Sequence, residues 1–403
     1  MRFYIPYNQL SAKQLDTVAK ISNNPNNTYW IQGFAGTGKT LVLIHCMEKI
    51  LELNPNLNVC YVTFTNALVD VVKFAISETV HERNIAAKIH VMTETAFRYY
   101  RNRYHCVFLD EIQDISIEKI QTIQNLAGAL FVAGDPDQKI YRDGADERDI
   151  ASIISSQRIK LDEIFRLTKN LLKVLKAVLP DPGIAQGVKT NKTAEASIDI
   201  IKCDDLQEEA AWMYNSAKSH ARPLDPSAIL FPSHDLLYDF SRSLAMSLGI
   251  TPPDRIRYIN GKRDYRPFNE YMQAKDLPIM YLGSKFGSIA ESDKRPLIYL
   301  MTYHSSKGLD FKNVYLPCLN ASTRIFSHDA GDAESAMNLE KRLLFVAISR
   351  CRENLFISYT SRHPHDFISN IIDNCGDVIS LYSPGEHKAD GGDDEDDDLG
   401  GIF

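Results

Sequence analysis

The sequence predicts an α/β fold of two tandem lobes, each built on a parallel sheet, followed by an acidic, disordered C-terminal tail. Three observations predict it. Short, nearly continuous apolar runs alternate with longer segments of helical period, the pattern of strands buried on both faces and the helices that cross between them. The alternation pauses near Ser155–Arg158 and then starts again, as two lobes would require. From Lys388 to Leu399 apolar residues nearly vanish while acids accumulate, a composition that cannot bury enough surface to fold.

Taken in order, Tyr29–Gln32 is a short apolar strand ending in glycine, and Thr40–Leu53 follows with helical periodicity. Val59–Phe64 is a second strand and Leu68–Val80 a second helix. Cys106–Leu109 and Leu130–Ala133 are further runs of the buried-strand type. Past the pause, Ile159–Ile164 is strand-like and Leu167–Leu179 helical, while Pro180–Thr193, rich in Pro, Gly and polar residues, is a loop. Ser197–Ile201, Ala228–Phe231, Leu297–Thr302 and Val314–Pro317 read as strands, and Asp205–Ser219, His234–Leu248 and Ala333–Arg350 as helices. The polar, Pro/Gly-punctuated stretch at about 250–296 reads as a small insertion. The expected domains are a first lobe at 1–155, a second at 156–383 and the tail at 384–403.

Composition narrows the class. The 403 residues leave room for two or three domains, and 44% apolar with 24% charged residues is ordinary for a globular chain. No stretch approaches the roughly 18 uncharged apolar residues of a membrane span. The opening MRFYIPYNQL lacks the parts of a signal peptide, so a cytoplasmic protein off the membrane is expected. Seven widely spaced cysteines without a CxxC point to buried thiols rather than zinc or disulfides. The net charge is −7, and residues 384–403 hold eight acids against one lysine, so the rest of the chain is neutral. A neutral body still binds phosphate where its local field is positive.

Three segments carry chemistry. GFAGTGKT (Gly33–Thr40) lies between a strand and a helix, the setting in which a glycine-rich loop cradles phosphates. Gly36 and Gly38 let backbone N–H groups close around a phosphate with the helix N-terminus behind them. Lys39 suits the β- and γ-phosphates of ATP, and the Thr40 hydroxyl suits Mg²⁺. VFLDEIQD (Val107–Asp114) sets two carboxylates at a strand end: Asp110 to hold Mg²⁺, Glu111 to orient and deprotonate the attacking water. In FVAGDPDQKIY (Phe131–Tyr141), Gln138 is an uncharged group able to sense the γ-phosphate.

Together these segments resemble the UvrD/Rep branch of superfamily 1 helicases, whose core is two RecA-like P-loop NTPase lobes. The resemblance runs from Leu10 to about Tyr359. It implies that Gln14, in LSAKQ, reads adenine and that Gly33, Gly36, Thr37, Gly38, Lys39 and Thr40 hold the nucleotide. LDEIFRL (Leu161–Leu167) resembles the segment whose aromatic, Phe165, stacks on adenine and whose arginine, Arg166, touches the γ-phosphate. MTYHSSKGLDFKNV (Met301–Val314) places Gly308 and Asp310 at the nucleotide and Thr302, His304 and Ser305 at the nucleic-acid backbone. EKRLLFVAISRCR (Glu340–Arg352) places Arg350 at the phosphates. Phe64 and Asn66, in YVTFTNALVD, and Tyr141 correspond to residues facing the strand. The implied activity is a 3′→5′ single-stranded DNA translocase or helicase using ATP and Mg²⁺ in replication, repair or recombination, expected as a monomer; RNA is the alternative polymer.

The sequence also departs from that pattern. RDGA follows Tyr141 where the family has a further aromatic, Thr93-Glu94-Thr95 lacks its histidine, Leu41 replaces an arginine, and Asp310 replaces a glutamate. Only Phe97–Cys106 stands where relatives insert a large subdomain. Two other readings therefore stay open: a DNA-stimulated ATPase that remodels protein–DNA complexes, and an ATP-dependent recruitment factor. The latter draws on DGGDDEDDDLGGIF (Asp390–Phe403), which resembles the acidic tips of bacterial single-stranded DNA-binding proteins, with Ile402 and Phe403 as the anchor for a protein partner.

Overall fold

The computed structural model describes residues 5–79, 88–180, 189–190, 192–326 and 333–386. The expected tail and its Ile402-Phe403 tip lie outside the described residues.

The first sheet has six strands: β1 (Tyr29–Gly33), β2 (Val59–Thr63), β3 (Ile89–Thr93), β4 (Tyr104–Leu109), β5 (Ala127–Gly134) and β6 (Gln157–Leu161). Their order is β3-β2-β4-β5-β1-β6 and every pair is parallel. Parallel neighbours require crossovers, and the helix Lys39–Leu53 that leaves β1 is buried on most of its surface. All five residues of β2 are buried, which is why its VCYVT reads as a continuous apolar run.

A two-residue ladder, β7 (Glu163–Ile164) with β8 (Lys189–Thr190), leads into the second lobe. Its sheet holds β9 (Ser197–Lys202), β10 (Ser227–Phe231), β13 (Ile279–Tyr281), β14 (Ile298–Thr302), β15 (Phe311–Leu316), β16 (Cys351–Tyr359) and β17 (Ser380–Tyr382). The order is β13-β14-β10-β15-β16-β9-β17, again all parallel. Side-chain caps start its helices where the sequence offers them. Thr168 opens Lys169–Val178, Asp205 opens Leu206–His220 and Ser233 opens His234–Ser247.

Two expectations need correction. β6 pairs with β1, so the first sheet runs to Leu161, past the boundary expected at 155–158. The stretch expected as an insertion holds a hairpin, β11 (Arg257–Ile259) with β12 (Lys262–Asp264), and the helix Arg266–Ala274. It then supplies β13, which extends the second sheet.

One apolar cluster crosses the seam between lobes. Phe34, Leu68, Val71 and Ile140 from the first lobe pack with Leu167, Leu309 and Phe345 from the second. The rings of Phe34 and Phe345 meet edge-on at 5.4 Å. All seven cysteines are buried free thiols. Among the described residues, no helix is long and apolar enough to cross a membrane.

Candidate functional site

The loop between β1 and the helix Lys39–Leu53 turns through two left-handed glycines, Gly36 at φ 80° and Gly38 at φ 84°. A Cβ on Gly36 would lie 2.6 Å from Arg166 Cβ, so glycine there serves both the turn and the close approach of the second lobe. The Lys39 ammonium donates to the carbonyls of Gly33 (2.6 Å) and Phe34 (3.2 Å), which holds it over the loop. Thr37 Oγ1 donates to Phe34 O at 2.9 Å. Gln14 closes a capping box with Ser11 and donates from Nε2 to Thr37 O at 3.0 Å. Its amide therefore braces the loop, while the exposed Gln9 lines the same cleft.

Asp110 and Glu111 follow β4. Thr40 Oγ1 donates to Asp110 Oδ2 at 2.6 Å and Tyr61 OH to the same oxygen at 2.9 Å. Burial, then the neighbouring Glu111, push Asp110 up to about 6, against those two hydrogen bonds and the Lys39 charge. Glu111 sits in the left-handed region at φ 55°, a strained geometry for a non-glycine residue. Burial raises its pKa, but Lys307, Lys39, the Gln113 amide (2.6 Å) and Arg350 outweigh it and hold the carboxyl below its usual range. Among the described residues no cluster of three or more His, Cys, Asp or Glu forms a metal site.

The opposing wall comes from the second lobe and the segment entering it. Phe165 N donates to Gly36 O at 2.9 Å. Arg166 Nε is 3.2 Å from Asp310 Oδ2, so the aspartate expected at the nucleotide is paired with an arginine here. Arg350 is buried, donating from Nε to Val346 O (2.9 Å), from Nη1 to Leu309 O (3.0 Å) and from Nη2 to Ser349 Oγ (2.8 Å). Burial, then Arg166, bring its guanidinium down to about 9, although Glu111 and Asp310 support the charge. Gly308, at φ 81°, packs on Leu68 across the seam; a Cβ there would sit 2.5 Å from that side chain.

These groups share one cleft of about 410 Å³, lined from the first lobe by Gln14, Lys39, Thr40, Glu111 and Gln138. Phe165, Arg166, Gly308, Asp310 and Arg350 face them. Lys192 and Arg352 line it too, and neither stands out in the sequence.

The strand-side expectations also converge. Phe64 and Tyr141 have ring centroids 4.4 Å apart, and Tyr141 lies 5.5 Å from His304. Asn66 Nδ2 donates across the seam to Ser284 O at 2.6 Å. Thr302 is buried with its hydroxyl 3.0 Å from Ser305 Oγ, so it shapes this turn from within.

Between the two groups lies a residue the sequence did not single out. Lys307 is buried, ion-paired with Asp114, 3.9 Å from Glu111 Oε2, and donates to Gln138 O at 2.5 Å. Gln138 in turn donates to Asp135 Oδ2 at 2.5 Å, and Gln113 Oε1 accepts from Asp135 N at 3.1 Å.

Two family models match the chain, one within each lobe. An AAA domain matches residues 14–143, and the UvrD-like helicase C-terminal domain matches 284–362. Both matches, with the relatives that follow, support a UvrD/Rep-like superfamily 1 assignment. Curated relatives agree with that family. A "Probable DNA helicase" of Mycoplasma pneumoniae is 24% identical over 63% of this chain and 43% of its own length. "ATP-dependent DNA helicase PcrA" of Staphylococcus epidermidis is 28% identical over 31% of this chain and 18% of its own length. "DNA helicase II" of Salmonella typhimurium is 27% identical over 34% and 21%. The matched parts thus span less than half of each of these relatives. Among solved structures, an arterivirus nonstructural protein 10 (helicase) covers 89% of this chain and 63% of that one, at 12% identity and a TM-score of 0.45. For this UvrD/Rep-like chain, one departure from the family pattern, at Thr93-Glu94-Thr95, has a local explanation. Glu94 is buried and paired with Arg98 and Lys119 at 3.1 and 3.6 Å, a structural use of that position.

Proposed function

We propose that this chain is an ATP-driven motor on single-stranded DNA, a translocase or helicase moving 3′→5′ in replication, repair or recombination. The observation that carries the reading is the shared cleft. Lys39 and Glu111 come from one lobe, Arg166 and Arg350 from the other, and all line one cavity able to take a nucleotide. The donor set fits a triphosphate: two left-handed glycines open the loop backbone, and Arg350 is a buried cation pressed by Arg166 and short of counter-charge. Thr40 and Asp110 suit Mg²⁺, an ion that takes one or two protein oxygens plus phosphate and water and would neutralise charge on the transferred phosphoryl.

On this reading Lys39 and the loop amides bind the phosphates, and Phe165 faces the base. Glu111, kept anionic by Lys307 and Lys39, orients and deprotonates the attacking water. Arg166 and Arg350 stabilise the developing charge only when the lobes are closed, so hydrolysis weakens the closed state. Gln138 and Lys307 carry that change to the turn holding His304 and Ser305. Phe64 and Tyr141 offer aromatic faces for bases, a contact that tolerates any sequence.

The test is steady-state ATPase with and without a dT oligomer, paired with displacement of streptavidin from 3′- or 5′-biotinylated oligomers. Stimulation by DNA, end-selective displacement, and loss of both in Arg350→Ala and Glu111→Gln are expected. Turnover indifferent to DNA would overturn the reading. A DNA-stimulated remodeller without strand separation is the second reading. It is favoured by the short path from the helix Glu94–Tyr100 to β4, where relatives carry a large insert. Failure to unwind a 3′-tailed duplex while translocating would select it.

A further inference from the structure

The second lobe holds a separate cavity of about 530 Å³ that the motor reading leaves unused. It lies between the hairpin β11–β12, the helix Arg266–Ala274 and the sheet edge at β13. Apolar side chains of Ile279, Met280 and Phe286 line its interior with Ile259 at its mouth, and Lys262, Arg263, Arg266, Lys285 and Arg295 stand around them with Asp264 and Glu270. Arg266 is committed to Asp264 through two contacts at 2.8 and 3.0 Å, and Arg263 faces Asp235 at 3.3 Å. Lys262, Lys285 and Arg295 have no carboxylate partner among the described residues. Ile259 is half exposed and the adjacent Tyr258 more so, apolar surface left open at the mouth. An apolar interior ringed by unpaired cations fits a ligand that is anionic along its length and apolar at one end.

The chain itself carries such a segment. Asp390–Asp398 holds seven acids, and Leu399, Ile402 and Phe403 follow directly. We propose that Asp390–Phe403 docks in this cleft of the same molecule, its carboxylates against Lys262, Lys285 and Arg295 and its apolar side chains over Ile259, Met280 and Phe286. The reach suffices. β17, four residues before Glu386, and β13 lie at opposite edges of the second sheet. Six strand spacings at about 4.8 Å make roughly 29 Å. The residues from His387 to Phe403, at about 3.4 Å each when extended, span roughly 58 Å. Tethering also gives the segment an effective concentration on the order of millimolar, enough to hold a weak site. Lys285, Phe286 and Gly287 also line the small cavity beside Asn66, so the docked segment occupies the edge of the strand seam and competes with an oligonucleotide there.

The docking does not depend on the motor reading, and the cross-linking arm of its test needs neither ATP nor DNA. The full chain, with photoreactive p-benzoylphenylalanine replacing Phe403, is irradiated and its cross-linked peptides are mapped. The expected product is intramolecular and joins position 403 to residues 258–287. Its yield falls at least fivefold in the triple variant Lys262→Glu, Lys285→Glu, Arg295→Glu, with circular dichroism showing that variant folded, and falls likewise at about 1 M salt, where the Debye length is about 3 Å. Cross-links to other surfaces overturn the proposal, as do products between molecules that grow with protein concentration, or an unchanged yield in the triple variant. A photoreactive dT oligomer that labels residues 258–287 while the segment 390–403 does not would assign the cleft to nucleic acid and also overturn it.

Discussion

Lys307→Met tests the link between the lobes most directly. The substitution keeps the apolar stem and removes one ammonium. That ammonium is buried, pairs with Asp114, neighbours Glu111 Oε2 at 3.9 Å and donates to Gln138 O at 2.5 Å. Removing one partner from a buried pair costs about 3–5 kcal/mol, because the remaining charge stays desolvated. Lys307 belongs to the second lobe and all three partners to the first, so the loss falls on the closed arrangement. At the lower bound of about 3 kcal/mol the closed state loses a factor on the order of 100 in population. DNA-stimulated kcat is expected to fall by that order.

The pH profile should change with it. Burial raises the pKa of Glu111, and Lys307 is the largest influence holding it down. Without Lys307 the carboxyl titrates at higher pH, so the acid limb of kcat moves toward neutrality. A second change, Asp114→Asn in the same background, removes the orphaned carboxylate and should recover most of the lost thermal stability. The reasoning is refuted if Lys307→Met alone melts within about 1 °C of the parent and keeps both kcat and its pH profile.

The other expectations concern the nucleotide loop, its carboxylates and the strand face. Asp110 is raised to about 6 by burial and Glu111, so in the folded state it favours the proton. Stability from that group is complete below its ordinary value near 4 and is lost as pH rises through about 6. Asp110→Asn should therefore melt higher than the parent at pH 8 without Mg²⁺, by up to about 2–3 kcal/mol, and lose that advantage below pH 4, while hydrolysis stops. Gly36→Ala meets Arg166 Cβ and backbone N from across the cleft, whereas Gly38→Ala meets the Gln14 side-chain amide within the first lobe. Both carry the left-handed strain of about 1–2 kcal/mol, but Gly36→Ala should lose more nucleotide affinity and more lobe closure, read by a fluorescent ATP analogue and by calorimetry. Tyr141→Ala should weaken binding of a dT oligomer by about 1–3 kcal/mol, roughly 5- to 150-fold, measured by anisotropy.

Local features were legible in the sequence where local chemistry dictates them. A glycine-rich turn between strand and helix has few purposes, and the structure gives Gly36 and Gly38 the left-handed backbone such a turn needs. The buried strands β2 and β4 announce themselves as apolar runs. Edge strands do not. β3 is only half-buried, and its IHVMT has neither a continuous apolar run nor clean alternation. β6 falls on the far side of the expected lobe boundary because its pairing with β1 is a contact between distant parts of the chain that no window of sequence contains. Lys307 was missed for the same reason: beside two serines and a glycine it looks like a solvated turn lysine. Its burial exists only once Asp114 and Gln138 arrive from the other lobe. Gln14 shows the converse. Its position was expected at the nucleotide, but only the structure shows both halves of its amide committed to Ser11 and Thr37.

The stretch Thr302–Asp310 ties the two sites together by geometry alone. Thr302 and Ser305 bond within the turn, and His304 stands against Tyr141 on the strand side. Three residues after His304, Lys307 is locked to Asp114, and Gly308 is pressed on Leu68. Asp310 pairs with Arg166 at the nucleotide cleft. A turn this short, buried at its middle, cannot let one end shift while the other stays, because close-packed interiors transmit displacement rather than absorb it. A displacement of Arg166 and Arg350 is therefore expected to move His304 against Tyr141.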